Sequence, residues 1–261
     1  MDYKYQPKTK EELQMLCDDR NVHLGDIDTS LITDMSKLFQ DSERKDFSGI
    51  ENWDTSKVTD MSFMFLCAKS FNQPIGKWNT SKAENMNRMF EWAESFNQPI
   101  GNWDVSHVTD MSYMFAGAIS FNQNIGNWDV SKVTNMEGMF NRAESFNQPI
   151  GNWDVSNVRD MSLMFTFAVS FNQNIGNWNV SHVTAMYDMF SGAKSFNQPI
   201  GTWDVSNVKN TSCMFYGAEV FNQNISEWKL NPNIWRPAMF ENCPIKKEYQ
   251  PGSLKKKSLG R

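Results

Sequence analysis

Apolar positions along this chain follow two alternating periods. In residues 96–120, FNQPIGNWDVSHVTDMSYMFAGAIS, the pattern Ile100-x-x-Trp103-x-Val105 puts Trp103 and Val105 two apart. They share one side of an extended chain, with Asn102, Asp104 and Ser106 on the other. That predicts a half-buried strand. Farther on, Met111, Met114, Phe115 and Ala118 fall at i, i+3, i+4 and i+7, the stripe of a short helix buried on one side. Asp110 stands just before the stripe, where an N-cap belongs. Phe121 and an FNQ turn lead back to the next strand, so one unit predicts strand, turn, short helix and return loop.

The pattern recurs. Trp53, Trp78, Trp103, Trp128, Trp153, Trp178, Trp203 and Trp228 follow one another at a constant spacing of 25, and Ile27 holds the same place in the earlier unit IDTSLITDMSKLF. Nine units run from Gly25 to Cys243. Asn124, Asn174 and Asn224 alternate with Pro99, Pro149 and Pro199 after FNQ, which points to duplication of a two-unit block. One unit cannot bury its own apolar face, but stacked neighbours can bury a continuous one. The predicted fold class is an α/β repeat solenoid, leucine-rich-repeat-like, with these eight Trp as core and turns about 4.8 Å apart. Burying one large apolar side chain contributes roughly 1.5–3 kcal/mol, so a Trp in every turn supports a narrow cross-section. A pentapeptide β-helix is the rival, since 25 is five fives, but its inward positions fail at Met111 and its bore is too narrow for Trp.

The ends depart from the repeat. Residues 1–24 predict an N-terminal cap with a helix over 10–18, opened by the capping box Thr9-x-x-Glu12. Residues 244–261 read as a basic, solvated tail. KYQP at 4–7 returns as EYQP at 248–251, as if another module began there.

The repeat FNQxIGNWDVSxVTDMSxMF resembles that of bacterial surface proteins with repeats of about 25–26 residues, the BspA-type leucine-rich-repeat proteins. The resemblance covers nearly the whole chain. It implies a lipoprotein or surface protein that binds host or neighbouring-cell components.

Composition narrows this. A net charge of −5 gives no basic signature for nucleic acid. No apolar run reaches the ~18 residues of a membrane span. MDYKYQPKTKEELQ lacks the apolar stretch of a secretory signal, so the chain as read is cytoplasmic, whereas the resemblance suggests the cell surface. Cys17, Cys67, Cys213 and Cys243 hold unrelated repeat positions and read as free thiols.

Candidate chemistry is sparse. His107 and His182 share a column but sit three turns apart, about 15 Å at the strand spacing, too far to share a metal. Asp104, Asp129 and Asp154 form a ladder, either of cation sites or of turn residues bonding local backbone; the second is preferred. The Asn column of FNQ is expected to bond neighbouring loop backbone. Lys255, Lys256 and Lys257 read as a solvated end. No catalytic, metal or cofactor site is expected.

The expected function is a non-enzymatic scaffold for protein–protein interaction. The alternatives are a passive spacer array or a glycan-binding surface. Asn102, Asp104 and Ser106 hardly change between units, whereas a face selected for one partner should vary. The variable columns carry His107, Lys132, Asn157 and His182, and also Tyr113 and Leu163. Trp92 falls outside the Trp register. These seven residues are the candidate surface for an unidentified protein or glycan, on a chain expected to be monomeric.

Overall fold

The computed structural model describes residues 3–252. Consecutive units pair in parallel through single bridges that form one line from Asp34 through Asp60, Asn85, Asp110, Asn135, Asp160, Ala185 and Asn210 to Trp235. Along this line the amides alternate in direction. Those of Met111, Tyr113, Phe115 and Gly117 donate to the carbonyls of Asn135, Glu137, Met139 and Asn141 in the next unit, at 2.7–3.1 Å. Those between turn back on their own unit: Met114 to Met111, Ala116 to Tyr113, and Ala118 to Phe115. The remaining donor, the Ser112 amide, bonds the Asp110 carboxylate at 2.8 Å. Every amide in the stretch is paired, as buried backbone requires.

These bonds reach back three residues, so they close turns. Among the described residues no unit contains an α-helix or a ladder strand. The expected strand–turn–short-helix unit is therefore corrected to a run of turns. Two successive four-residue turns bring Met111, Met114, Phe115 and Ala118 inward, the same set a helical stripe would bury. The two patterns are degenerate over eight residues. A stripe that short is below the ~12–15 residues an isolated helix needs, and half of its amides are bonded to the neighbouring unit instead. Asp110 still accepts the bond of an N-cap, without a helix behind it. Residues 102–106 keep the expected alternation, Trp103 and Val105 buried against exposed Asn102 and Asp104.

The eight Trp of the register, Trp53, Trp78, Trp103, Trp128, Trp153, Trp178, Trp203 and Trp228, are all buried. Each has a second role that the apolar period did not predict. The indole Nε1 of Trp128 donates to the Ile100 carbonyl, in the loop one unit back, at 3.2 Å. Trp78, Trp103, Trp153, Trp178, Trp203 and Trp228 make the same bond to Ile50, Ile75, Ile125, Ile150, Ile175 and Ile200. Trp53 makes it to Leu24. The register is thus corrected from a purely apolar filler to one that also carries a bond between units. Trp rather than Leu fits here because it fills the slot and also gives that carbonyl a second donor from the next unit, beside the amide of its own unit's Trp. Beside it, Phe90, Phe115, Phe140 and Phe165 stack with centroids 5.7–5.8 Å apart. Phe96, Phe121 and Phe146 form a second file at 5.9 Å. On the FNQ side, Asn97 Oδ1 accepts from the Asn122 amide at 3.0 Å and from Gln123 Nε2 at 2.9 Å. This rung repeats along the column.

The N-terminal helix α1 spans Lys10–Asp18, with Thr9 accepting from the Glu12 amide and Glu12 reaching back to the Lys8 amide. Its inner face buries Leu13 and Cys17. Lys10 reaches the Asp34 carboxylate at 3.1 Å, and Gln14 Nε2 bonds the Leu38 carbonyl at 3.0 Å. Buried Arg44 ties this cap to the first unit through the carbonyls of Cys17, Asp19 and Val22. At the other end the solvated tail is corrected in part. Residues 244–252 dock on the last unit, because they continue both of its columns. Ile245 is buried, Tyr249 packs against the core, and the Lys246 amide takes the Asn222 rung at 3.0 Å. The Ile225 amide donates to the Tyr249 carbonyl at 3.0 Å. The basic run Lys255, Lys256 and Lys257 lies outside the described residues.

Candidate functional site

Each unit holds two residues in the left-handed backbone region, four positions apart, and the first adds Gly49. One column runs Lys37, Phe63, Arg88, Tyr113, Gly138, Leu163, Asp188, Cys213, Ala238, with φ between 53° and 66°. The other runs Asp41, Cys67, Trp92, Gly117, Arg142, Phe167, Gly192, Gly217, Asn242. Both sit third in their turns, where a type II geometry demands positive φ and glycine is the easy choice. A left-handed L-residue costs roughly 1–2 kcal/mol. Only four of these positions are Gly. The others include Phe, Trp, Tyr, Leu and Arg.

The large side chains of these columns lie along the surface over their neighbours. Trp92 covers Gly117, Tyr113 covers Gly138 and Phe167 covers Gly192; at each glycine an added Cβ would fall 2.4 Å from a ring atom. The Arg88 guanidinium lies 4.4 Å from the Tyr113 ring centroid and pairs with Glu91 at 2.8 Å. Arg142 lies 4.8 Å from the Phe167 centroid. Glu137 accepts from both Tyr113 and Tyr187 hydroxyls, each at 2.8 Å. Burial, and then the bond to Glu137, pushes both phenols well above their ordinary range. Burial raises the Glu91 carboxyl, against the pull of Arg88. Trp92 and Phe167 remain 38% and 40% exposed. The result is a firm mosaic of flat rings, guanidinium groups and one clasped carboxylate.

Of the seven sequence candidates, Trp92, Tyr113 and Leu163 belong to this mosaic. The other four do not join it. His107, Lys132, Asn157 and His182 are exposed along a separate column. There Asn157 Nδ2 and His182 Nδ1 bond the Ser131 and Ser156 carbonyls of the preceding unit, at 2.7 and 2.8 Å. The sequence reading missed Phe63, Arg88, Arg142, Phe167, Glu137 and Tyr187. A usable signal was present: glycine recurs at 117, 138, 192 and 217, in two columns four residues apart, which marks left-handed turns rather than a helix.

The Asp ladder bonds locally. Asp104, Asp129 and Asp154 each accept from the amide of Ser106, Ser131 or Ser156 at 3.0 Å. The serine bonds hold Asp104 and Asp129 below the usual carboxylate range. Among the described residues, no group of three or more His, Cys, Asp or Glu is arranged to hold a metal ion, and no helix is long and apolar enough to cross a membrane.

One family model matches the chain three times, over residues 11–118, 98–181 and 150–250. The overlapping matches mark a tandem-repeat protein. No curated protein and no solved structure matches it. With the matched segments reaching from residue 11 to residue 250, the chain belongs to the family described as Mycoplasma protein of unknown function, DUF285.

Proposed function

We propose that the units wind into one continuous solenoid that serves as a non-enzymatic scaffold, presenting the aromatic and arginine mosaic to a protein partner. The observation that carries this reading is the use of Phe63, Arg88, Trp92, Tyr113, Arg142, Leu163 and Phe167 at left-handed positions. Glycine would relieve strain there, and local strain retained at many sites is a mark of function. Trp, Tyr and Arg are also the residues that dominate protein-interface energetics. The resemblance to bacterial surface repeat proteins suggests a partner on a host or neighbouring cell. A glycan is the second reading, favoured by the exposed rings of Trp92 and Phe167 lying flat over glycines. A passive spacer is the third.

A photo-crosslinking residue placed at Phe167, at Trp92 or, on the constant face, at Asn127 separates these readings in extracts of the source cell and of the host or neighbouring cells. Protein adducts at the first two positions only, lost on adding Arg88→Glu, support the scaffold. Adducts of equal yield at all three positions, or at none, favour the spacer. Carbohydrate-only adducts favour the glycan.

A further inference from the structure

The two ends of the stack are unlike. At the N-terminal end α1 lies across the first unit, its Lys10 and Gln14 donating to the Asp34 carboxylate and the Leu38 carbonyl. At the C-terminal end the bonding pattern stops half-way. The amides of Thr211, Cys213, Phe215 and Gly217 donate to the last unit. Their equivalents at Arg236, Ala238, Phe240 and Asn242 donate to nothing among the described residues. Among the described residues these four donors are thus left over, flanked by Trp235 at 66% exposure and by a groove formed with Pro251. Such an edge is a template for another chain.

We infer that this edge docks the N-terminal cap of a second copy of the chain, head to tail. Three observations select that occupant. First, α1 is two-sided: donors point inward, while Glu11, Met15 and Asp18, at i, i+4 and i+7, are exposed on its outer face. That stripe offers carboxylate acceptors and an apolar centre, and Met15 is 68% exposed. Four amides beside a bare Trp are its complement, and carboxylate–amide bonds are among the stronger hydrogen bonds. Second, charge is split along the chain. Eight of the 25 Lys and Arg, but only two of the 30 acidic residues, follow Trp228, whereas α1 carries Glu11, Glu12 and Asp18 against Lys10 alone, so a basic C-terminal segment meets an acidic helix when copies align. Third, the same tetrapeptide pattern flanks both ends. Tyr5 of KYQP bonds the first unit through Asp26 and Asp28, and Tyr249 of EYQP bonds the last through Ile225. Continuing the stack in register would bring a second α1 over residues 235–242, as the first lies over 34–38. The contact is heterologous, so it propagates into open filaments rather than closing. The inference stands against the monomer expected from sequence.

Sedimentation of the full chain from micromolar to millimolar concentration tests the inference. The average mass should rise above 30.2 kDa with concentration at low salt, and fall back as salt screens the charges. Trp235→Glu and Met15→Glu each put a carboxylate into the apolar contact at an exposed site, so both should melt like the parent yet stay monomeric alone. Mixed, they should stop at about twice 30.2 kDa, because each supplies the one end the other lacks. A single mass at every concentration overturns the proposal. So does association that survives both substitutions, or a basic end that binds anionic phospholipid vesicles without any self-association.

Discussion

Trp128 combines two contributions that substitution can separate. Trp128→Phe keeps most of the burial and removes the indole donor, while the Ile100 carbonyl keeps the Trp103 amide, a loss of about 0.5–1.5 kcal/mol. Trp128→Ala removes the ring as well and should cost about 3–5 kcal/mol. Chemical denaturation of both variants checks this; a Trp128→Phe variant as stable as the parent would mean that the indole bond contributes nothing. The burial of this column was legible from its period of 25, but the indole bond was not. It joins atoms 28 residues apart whose meeting depends on how the units stack. The Asp ladder gives a pH prediction. The serine bonds that lower Asp104 and Asp129 stabilise the fold above the ordinary carboxylate range near 3.9. The sign follows: the unfolded chain binds these protons first, so stability falls as pH drops through that range and below. Burial raises Glu91 and Asp188, which act in the opposite sense. The double variant Asp104→Asn, Asp129→Asn isolates the ladder, since Asn79 already makes the same bond to the Ser81 amide. Its melting temperature should fall less than the parent's between pH 6 and pH 3. An unchanged slope would remove the ladder as a cause.

At the scale of the turn, the strain argument can be tested at two glycines. Gly217, at φ 64°, has nothing within 4 Å of an added Cβ, whereas Gly138, at φ 59°, has the Tyr113 ring 2.4 Å away. Gly217→Ala should therefore cost only the left-handed backbone penalty, about 1–2 kcal/mol. Gly138→Ala should cost more and also break the Tyr113–Glu137 bond, which tyrosine fluorescence and thermal melting would both register. Similar losses in the two would show that the Tyr113 ring does not rest on Gly138. This is also the scale at which the sequence reading failed. Positions 111, 114, 115 and 118 fit a helix and a pair of turns equally well, because both repeat inward contacts every three to four residues. The backbone is decided by partners in the next unit, which local periodicity does not encode. Tyr113 and Leu163 were found through their column's variability, and Trp92 because it falls outside the Trp register. Arg88 and Phe167 were missed because the helical reading gave no reason to align columns four residues apart. By contrast α1 was legible to the residue, since its Thr9 and Glu12 caps are local.

For the whole molecule, the docked segment 244–252 changes what truncation should do. A chain ending at Cys243 loses Ile245, Tyr249 and the last Asn rung. Burying Ile245 alone is worth roughly 1.5–3 kcal/mol, so the melting temperature should drop by several degrees. An unchanged melt would mean that the segment only rests on the surface. The alternating amides have a mechanical consequence as well. At each junction the unit-to-unit bonds run in the direction in which the units succeed one another, so tension applied to the two termini loads them in sequence rather than together. Under a stretching force the protein should lengthen in a staircase, each step freeing 25 residues, or about 85 Å of contour. The steps should be similar in height because the junctions are chemically alike, and they should heal in reverse order when the force is relaxed. Such a chain would behave less like a block that ruptures than like a spring with a fixed yield point.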